Sequence, residues 1–365
     1  GSGAAASWGN AGHIAIEQVE PLASLSNLIS LPRRLFTFGG PAGFPARSAR
    51  HWVPFGLRML GFSSTRRFET GRTALTGLAA MALPSWRELV KDLGEPALLV
   101  ENGHHVVWES HSGYLHGKRA WERRDTGETT FRPFASEELE KIASLISKPL
   151  AGGVHFEGTA SISSHADLRN SLLHAIKSRG GKVRSERARR LADLDADRVV
   201  VCAGVGSAEL IRKHSWLRVP LIAERGYHIE GVPRNWPREM PPVVFEDRSI
   251  IATRFADRLR VAGFVEFSGS ECPPDERKFS ALHRHCDDLG ISLEGARRWM
   301  GARPTLPDYL PALGRIPDDS RIFYAFGHQH LGLTLGPATA RIMADLVLDH
   351  DPGVDLSPFD LARFR

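Results

Sequence analysis

The chain has 365 residues, 42% hydrophobic and 24% charged, the balance of a folded globular protein long enough for two domains. Its net charge of +5 comes from scattered arginines, with no basic block interleaved with aromatics, which argues against nucleic acid as a partner. Cys202, Cys272 and Cys286 lack CxxC spacing, so no disulfide framework or zinc site is expected and a reducing, cytoplasmic compartment is the reading; no apolar run approaches the roughly 18–20 residues of a membrane span.

Gly1 to Ala6 fits the spacing G-x-G-x-x-A. It has no strand before it and a loop-like Trp8 to Gly12 after it, so it is not read as a dinucleotide fingerprint. Residues 1–50 read as loops with short helices. Leu28 to Phe62 mixes apolar side chains with Arg33, Arg34 and Arg58, and Pro32, Pro41, Pro45 and Pro54 cut it into pieces. The plain reading is irregular structure over the core; the sharper one is a surface for a partner or for the inner face of the cell membrane. Ser64 to Leu93 reads as helix, broken at Pro84. Residues 97–100 and 105–108 around Asn102-Gly103 predict a β-hairpin. Ser136 to Ile146 is a short helix. Ser163 or Ser164 caps another through Ile176, which stops at Gly180-Gly181.

Lys182 to Arg184 predicts a short strand, and Arg198 to Gly204 a buried parallel strand turning into a helix at Ser207. Cys202 is placed in the core with it. Residues 221–268 read as all-β, with strands at 227–230, 243–245, 249–253 and 259–264, and residues 275–299 return to helix. The last quarter reads as an Arg-bearing turn over 301–311, a strand over 321–326, a glycine-broken loop over 327–332, and a helix. A helix N-terminus behind such a loop presents free N–H groups to an anion or to charge developing in a reaction. The alternation predicts a mixed α/β, α+β fold of two interleaved domains, one from residues 1–94, 151–220 and 300–365, the other from 95–150 and 221–299.

Four stretches carry a family likeness: Ser7-Trp8-Gly9-Asn10-Ala11-Gly12, Arg198 to Gly204, Glu224-Arg225-Gly226-Tyr227-His228, and Gly301 to Leu313 taken with Gly327 to Ala340. They are spread from one end of the chain to the other, and over essentially its whole length the chain resembles the flavin-dependent amine oxidoreductases of the D-amino-acid oxidase superfamily, in particular the bacterial D-amino-acid and hydroxy-D-proline dehydrogenases. The resemblance implies an FAD/NAD(P)-binding Rossmann-like domain (the first of the two) interleaved with an antiparallel-sheet substrate domain, and FAD as cofactor. It also implies a member without the βαβ unit that bears G-x-G-x-x-G, a piece of roughly 30–40 residues. Residues 183–198 are shorter than the hairpin that relatives carry there.

The implied reaction passes a hydride from an amine-bearing carbon of a D-amino acid or cyclic imino acid to flavin N5. Quinone or another electron carrier is the expected acceptor. Arg303 is the expected holder of the substrate carboxylate, since a guanidinium fork matches that group with two parallel bonds; the plainer role is tying down the Pro304–Pro311 loop. Tyr227 and His228 alternate on a strand, so one of them faces the pocket, and His330 is expected to line it. His328 and His330 alternate like metal ligands but have no third partner in sequence, so no metal is expected.

Backbone N–H groups over Gly332, Leu333 and Thr334 are expected at the flavin's pyrimidine end, with Gly301, Gly327, His328, Gln329 and Leu331 beside the ring. Ser7 to Gly12 is expected over its other face and Ala203-Gly204 near the pyrophosphate. Two other readings stay open: a glycine- or sarcosine-type oxidase that uses oxygen, and a non-catalytic subunit or inactive fragment.

Overall fold

The computed structural model describes residues 5–24 and 35–365; Arg33, Arg34 and the start of the Leu28–Phe62 stretch lie outside the described residues. In chain order the strands are β1 (His13–Ile14), β2 (Ala42–Gly43), β3 (Leu99–Val100), β4 (His104–Trp108), β5 (Thr130–Pro133), β6 (Gly152–Glu157), β7 (Ala160–Ile162), β8 (Val199–Val201), β9 (Ile222–Pro233), β10 (Val243–Phe245), β11 (Ile250–Phe255), β12 (Arg258–Ser268), β13 (Leu293–Thr305), β14 (Ala312–Arg315) and β15 (Ile322–Phe326). The helices are α1 (Ala49–Phe62), α2 (Thr65–Ala80), α3 (Ala82–Asp92), α4 (His111–Glu122), α5 (Ser136–Ala143), α6 (His165–Ser178), α7 (Ser207–Arg212), α8 (Glu276–Leu289) and α9 (Gly332–Val347).

A large sheet runs β13-β9-β12-β11-β10-β4-β6-β5, with β2 alongside β12. Two small sheets run β1-β7-β3 and β14-β15-β8, the last joined by a parallel β15–β8 pair. Alternation along β9 decides what each face does. Tyr227 and Ile229 pack against Phe279, Leu282, Cys286 and Leu289 of α8, a helix whose apolar residues recur at three- and four-residue spacing. Asp275 caps α8 by accepting from the Arg277 N–H, and Gly290, at φ +70°, ends it, a left-handed position that glycine takes at no steric cost. Glu224, Gly226, His228 and Glu230 fall on the opposite face.

A second core joins α9 to α3 through Trp86, Leu335, Ala338 and Ile342. The Trp86 indole donates to the carbonyls of Leu333 (3.1 Å) and Thr334 (3.2 Å), which anchors the start of α9.

Several expectations are corrected. Residues 97–108 form no hairpin: β3 pairs with β7, whereas β4 pairs with β6 and β10. Gly103 (φ +71°) steers the chain from one sheet to the other past the Phe156 carbonyl. Pro54 does not break α1, because Trp52, Phe55 and Met59 pack that helix onto Phe267 and its neighbours, and such packing outweighs one lost hydrogen bond. The α2–α3 break falls at Met81, and Pro84 sits in the first turn of α3, where a missing N–H costs nothing.

Residues 182–184 are exposed and form no strand. The parallel strand β8 is three residues long and half open: Val200 is 39% exposed and Cys202 is exposed rather than in the core, since a short apolar run does not reveal whether both of its faces are covered. The helix expected over 275–299 stops at Leu289, and β13 follows, so Arg303 stands on a strand and not in a turn. Residue 300 lies within the β13–β9 ladder, and β6 pairs with β4 and β5 in the large sheet.

Candidate active site

In the β13–β9 ladder Arg303 stands opposite Glu224 and Gly301 opposite Gly226. Arg303 Nη1 donates to Glu224 Oε1 at 3.3 Å, and Thr305 Oγ1 donates to Glu224 Oε2 at 3.1 Å. The Glu224 side chain is buried, whereas that of Arg303 is 28% exposed. One carboxylate thus fixes one edge of a guanidinium fork and leaves its other donors toward open space. The Tyr309 hydroxyl belongs to the same cluster; burial first, and the Glu224 carboxylate second, hold it well above the usual phenol range. Tyr309 (φ +59°) and Gln329 (φ +48°) both carry left-handed backbone, and the Gln329 side-chain amide donates to the Tyr309 carbonyl. Two such residues locked to each other beside a partly open arginine mark a strained, over-determined site.

The 327–332 loop reaches this cluster through a bridge between Thr305 and His328. Its two histidines point apart: His328 Nε2 pairs with Thr339 Oγ1 (2.9 Å), and His330 Nε2 donates to Gln18 Oε1 (2.6 Å). Burial pulls both imidazoles down to about 4, so both are neutral near pH 7. The α9 helix then begins at Gly332 with no capping side chain, leaving its first-turn N–H groups and positive dipole end available. Thr334 Oγ1 accepts from the Ala15 N–H at 3.0 Å and fixes that turn against the segment after β1.

The loop over residues 7–12 meets the same region. Asn10 Nδ2 donates to the His330 carbonyl (3.3 Å), and Asn10 Oδ1 accepts from the Gly12 N–H (2.8 Å). Arg260, buried on β12, donates to the carbonyls of Trp8 and Asn10 and pairs with Glu230 at 2.6 Å. His228 stacks on Trp299 with centroids 4.9 Å apart, and its Nδ1–H donates to the Gly9 carbonyl (3.2 Å); burial, then the Arg260 charge, hold its imidazole well below the usual range. The Trp299 indole fills the gap between Gly9 and Gly301, where a β-carbon on either glycine would collide with it.

Tyr227 does not join Arg303. It faces the other side of β9, where its hydroxyl donates to Glu266 (3.3 Å) and accepts from the Asp275 N–H (3.1 Å). Ala203 and Gly204 follow β8 in an open turn: Gly204 has φ +58° and a β-carbon there would meet nothing within 4 Å.

Glu224, Tyr309, Arg260 and Trp299 are the residues that sequence reasoning passed over. The Glu224 signal was present, an acid two residues before Gly226 on the same strand face; the others needed the tertiary structure. Two groups of side chains with metal-donor atoms close together also occur among the described residues, His13 with Glu17 and His104, and His51 with Glu271 and Cys272. Glu17 is joined to the site by a chain of contacts, Gln18 Nε2 donating to Glu17 Oε1 (3.3 Å) and Gln18 Oε1 accepting from His330.

Residues 1–346 match the family described as FAD dependent oxidoreductase. The chain belongs to that family of enzymes. It is 27% identical to a D-amino-acid oxidase of Bradyrhizobium diazoefficiens over 99% of this chain and 90% of that protein. It is 26% identical to a D-amino acid dehydrogenase of Paramagnetospirillum magneticum, over 100% and 91%. In fold it is similar to the crystal structure of iminodiacetate oxidase from Chelativorans sp. BNC1, with TM-score 0.70, 19% identity, and 98% and 90% of the two chains covered. Glycine oxidase from Geobacillus kaustophilus follows at TM-score 0.67, 21% identity, and 88% and 91% covered. No helix among the described residues of this oxidoreductase is long and apolar enough to cross a membrane. The features that suit an anionic dinucleotide with a planar ring are the open Gly204 turn at the end of a parallel strand and the uncapped α9 N-terminus.

Proposed function

We propose that this enzyme oxidises a D-amino acid, or a cyclic imino acid such as hydroxy-D-proline, by hydride transfer from the carbon that bears the amine. The observation that carries the reading is Arg303, partly exposed, seated on the buried Glu224 beside the uncapped start of α9. Bound FAD supplies the hydride acceptor. Residues 9–12, Ala203-Gly204 and the 327–334 segment would hold it, and the first turn of α9 favours the negative charge that reduction creates. Arg303 binds the substrate carboxylate with its free edge, and the spare lone pairs of Glu224 accept from the substrate amine. His330, neutral and tied to Gln18, positions the loop and does not act as a strong base at pH 7.

Anaerobic bleaching of the flavin by a panel of D-amino acids and cis-4-hydroxy-D-proline tests the reading. No bleaching by any member overturns it. The acceptor is proposed to be a quinone or another carrier reached at a membrane surface, where α1 would lay its exposed Val53, Leu57 and Leu60. Oxygen is the second reading, favoured by similarity to proteins named as oxidases; peroxide release during turnover separates the two.

A further inference from the structure

A pocket of about 590 Å³ opens between α1, β2 and the β9–β12 face, with Phe44, Trp52, Phe55, Val265 and Phe267 among its lining and Glu224 and Tyr309 at its inner end. That volume is of the size that small-molecule sites take. The register of the large sheet relates it to Arg303. Arg303 stands opposite Glu224 on β9, and Glu224 stands opposite Phe267 on β12. The three residues form one row across three neighbouring strands, roughly 10 Å from first to last Cα. Along this row a guanidinium fork comes first, then a carboxylate, then an aromatic wall, where Phe267 stacks on Phe44 with centroids 4.9 Å apart.

The charged groups around the pocket are paired with one another or with Arg303. Lys278 Nζ lies 3.1 Å from Glu266 and 3.2 Å from Asp275, Arg277 is paired with Asp275 at 2.8 Å, and Glu224 is paired with Arg303. A side-chain carboxylate on the occupant has to compete with Asp275 and Glu266 for Arg277 and Lys278, whereas an apolar group would replace water on aromatic surface.

Resting on the proposed reaction, we infer that this pocket takes the side chain of the substrate, which makes the preferred substrate a D-amino acid with a large apolar or aromatic side chain. Glycine and D-alanine leave the pocket unfilled, and an acidic side chain has to displace Asp275 or Glu266 from their cations to be paired in it. Gly56, on the α1 wall, provides the test. It lines the pocket, and a β-carbon there meets nothing within 4 Å, so Gly56→Leu adds bulk at a helical position that favours leucine over glycine.

The experiment compares kcat/KM by flavin reduction for D-phenylalanine, D-leucine, D-alanine, glycine, D-aspartate and cis-4-hydroxy-D-proline in the holoenzyme and in Gly56→Leu. The expected result is D-phenylalanine at least ~30-fold above D-alanine, with that ratio falling at least ~10-fold in the variant. A preference for D-alanine, glycine, D-aspartate or the cyclic imino acid, or a ratio that Gly56→Leu leaves unmoved, overturns the inference while the proposed reaction stands. If no member of the panel reduces the flavin, the reaction fails, and tryptophan fluorescence titrated with D-phenylalanine decides on the pocket. Quenching that disappears in both Trp52→Phe and Gly56→Leu upholds it as an apolar amino-acid site; no quenching overturns it.

Discussion

The guanidinium of Arg303 lies over the bare Cα of Gly226: a β-carbon built there stands 2.5 Å from Nη2 and 2.7 Å from Cζ. The absence of a side chain at 226 therefore sets the height of the arginine above the sheet. Gly226→Ala pushes the fork off Glu224 while keeping its charge. The expected outcome is a KM for the amino-acid substrate raised about tenfold, equal to about 1.4 kcal/mol, with the visible flavin spectrum unchanged. Steady-state kinetics on the flavin-loaded variant check it, and an unchanged KM removes Arg303 from carboxylate binding.

Arg303→Lys keeps the charge and loses the fork. A hydrogen bond to a charged group is worth roughly 1.5–3 kcal/mol, so the variant is expected to raise KM at least tenfold, close to the effect of Arg303→Ala. A lysine variant with parental KM would mean that charge alone suffices at this position.

Arg260 ties β12 to the carbonyls of Trp8 and Asn10. Arg260→Met keeps much of the stem but leaves two carbonyls without their donor, and the 8–12 loop loosens. Flavin retained per protein after gel filtration is expected to fall at least threefold. Full retention would separate this loop from cofactor binding.

Glu17 supplies a pH dependence. Burial raises its carboxyl from 4.5 to about 7, so the folded protein holds this proton more tightly than the unfolded chain does. The stability it contributes is complete below about pH 4.5 and is lost as pH rises through about 7, a change on the order of 3 kcal/mol. His13, pulled down by burial to about 4, acts in the opposite sense, its contribution present above 6.5 and lost as pH falls through 4. The difference between parent and Glu17→Gln isolates the first group: the variant's unfolding free energy should gain on the parent's from pH 5 to pH 8. Parallel stability curves for the two would place the Glu17 titration elsewhere.

On α1, Val53, Leu57 and Leu60 are 40%, 66% and 53% exposed, spaced so that they share one helical face. Arginines at 47, 50, 58, 66 and 67 lie close to them in sequence, the composition of an interfacial helix on an anionic bilayer. Replacing all three with serine is expected to lower flotation with anionic vesicles at least tenfold. Equal flotation of parent and variant would exclude this face as the contact.

What the sequence made legible was the material with a local cause. The strands at 243–245 and 259–264 announced themselves by composition, and α6 by Ser164, whose hydroxyl caps it from the Asp167 N–H. Arg303 stood out through its chemistry and its motif. Its partner did not, because the pairing of Arg303 with Glu224 depends on a β13–β9 register spanning 79 residues, and register is a tertiary property. The helix read over 275–299 overran for a similar reason: the stop at Gly290 is local, but the pull of Leu293 to Thr305 into the sheet comes from β9. Tyr227 and His228 could be told apart only once α8 was known to cover one face of β9.

The indole of Trp299, held between Gly9 and Gly301 and stacked on His228, ties the fates of three positions together. Alanine at Gly9 or Gly301 would put a β-carbon 2.1 Å or 2.0 Å from an indole carbon, so either substitution has to move Trp299 off His228.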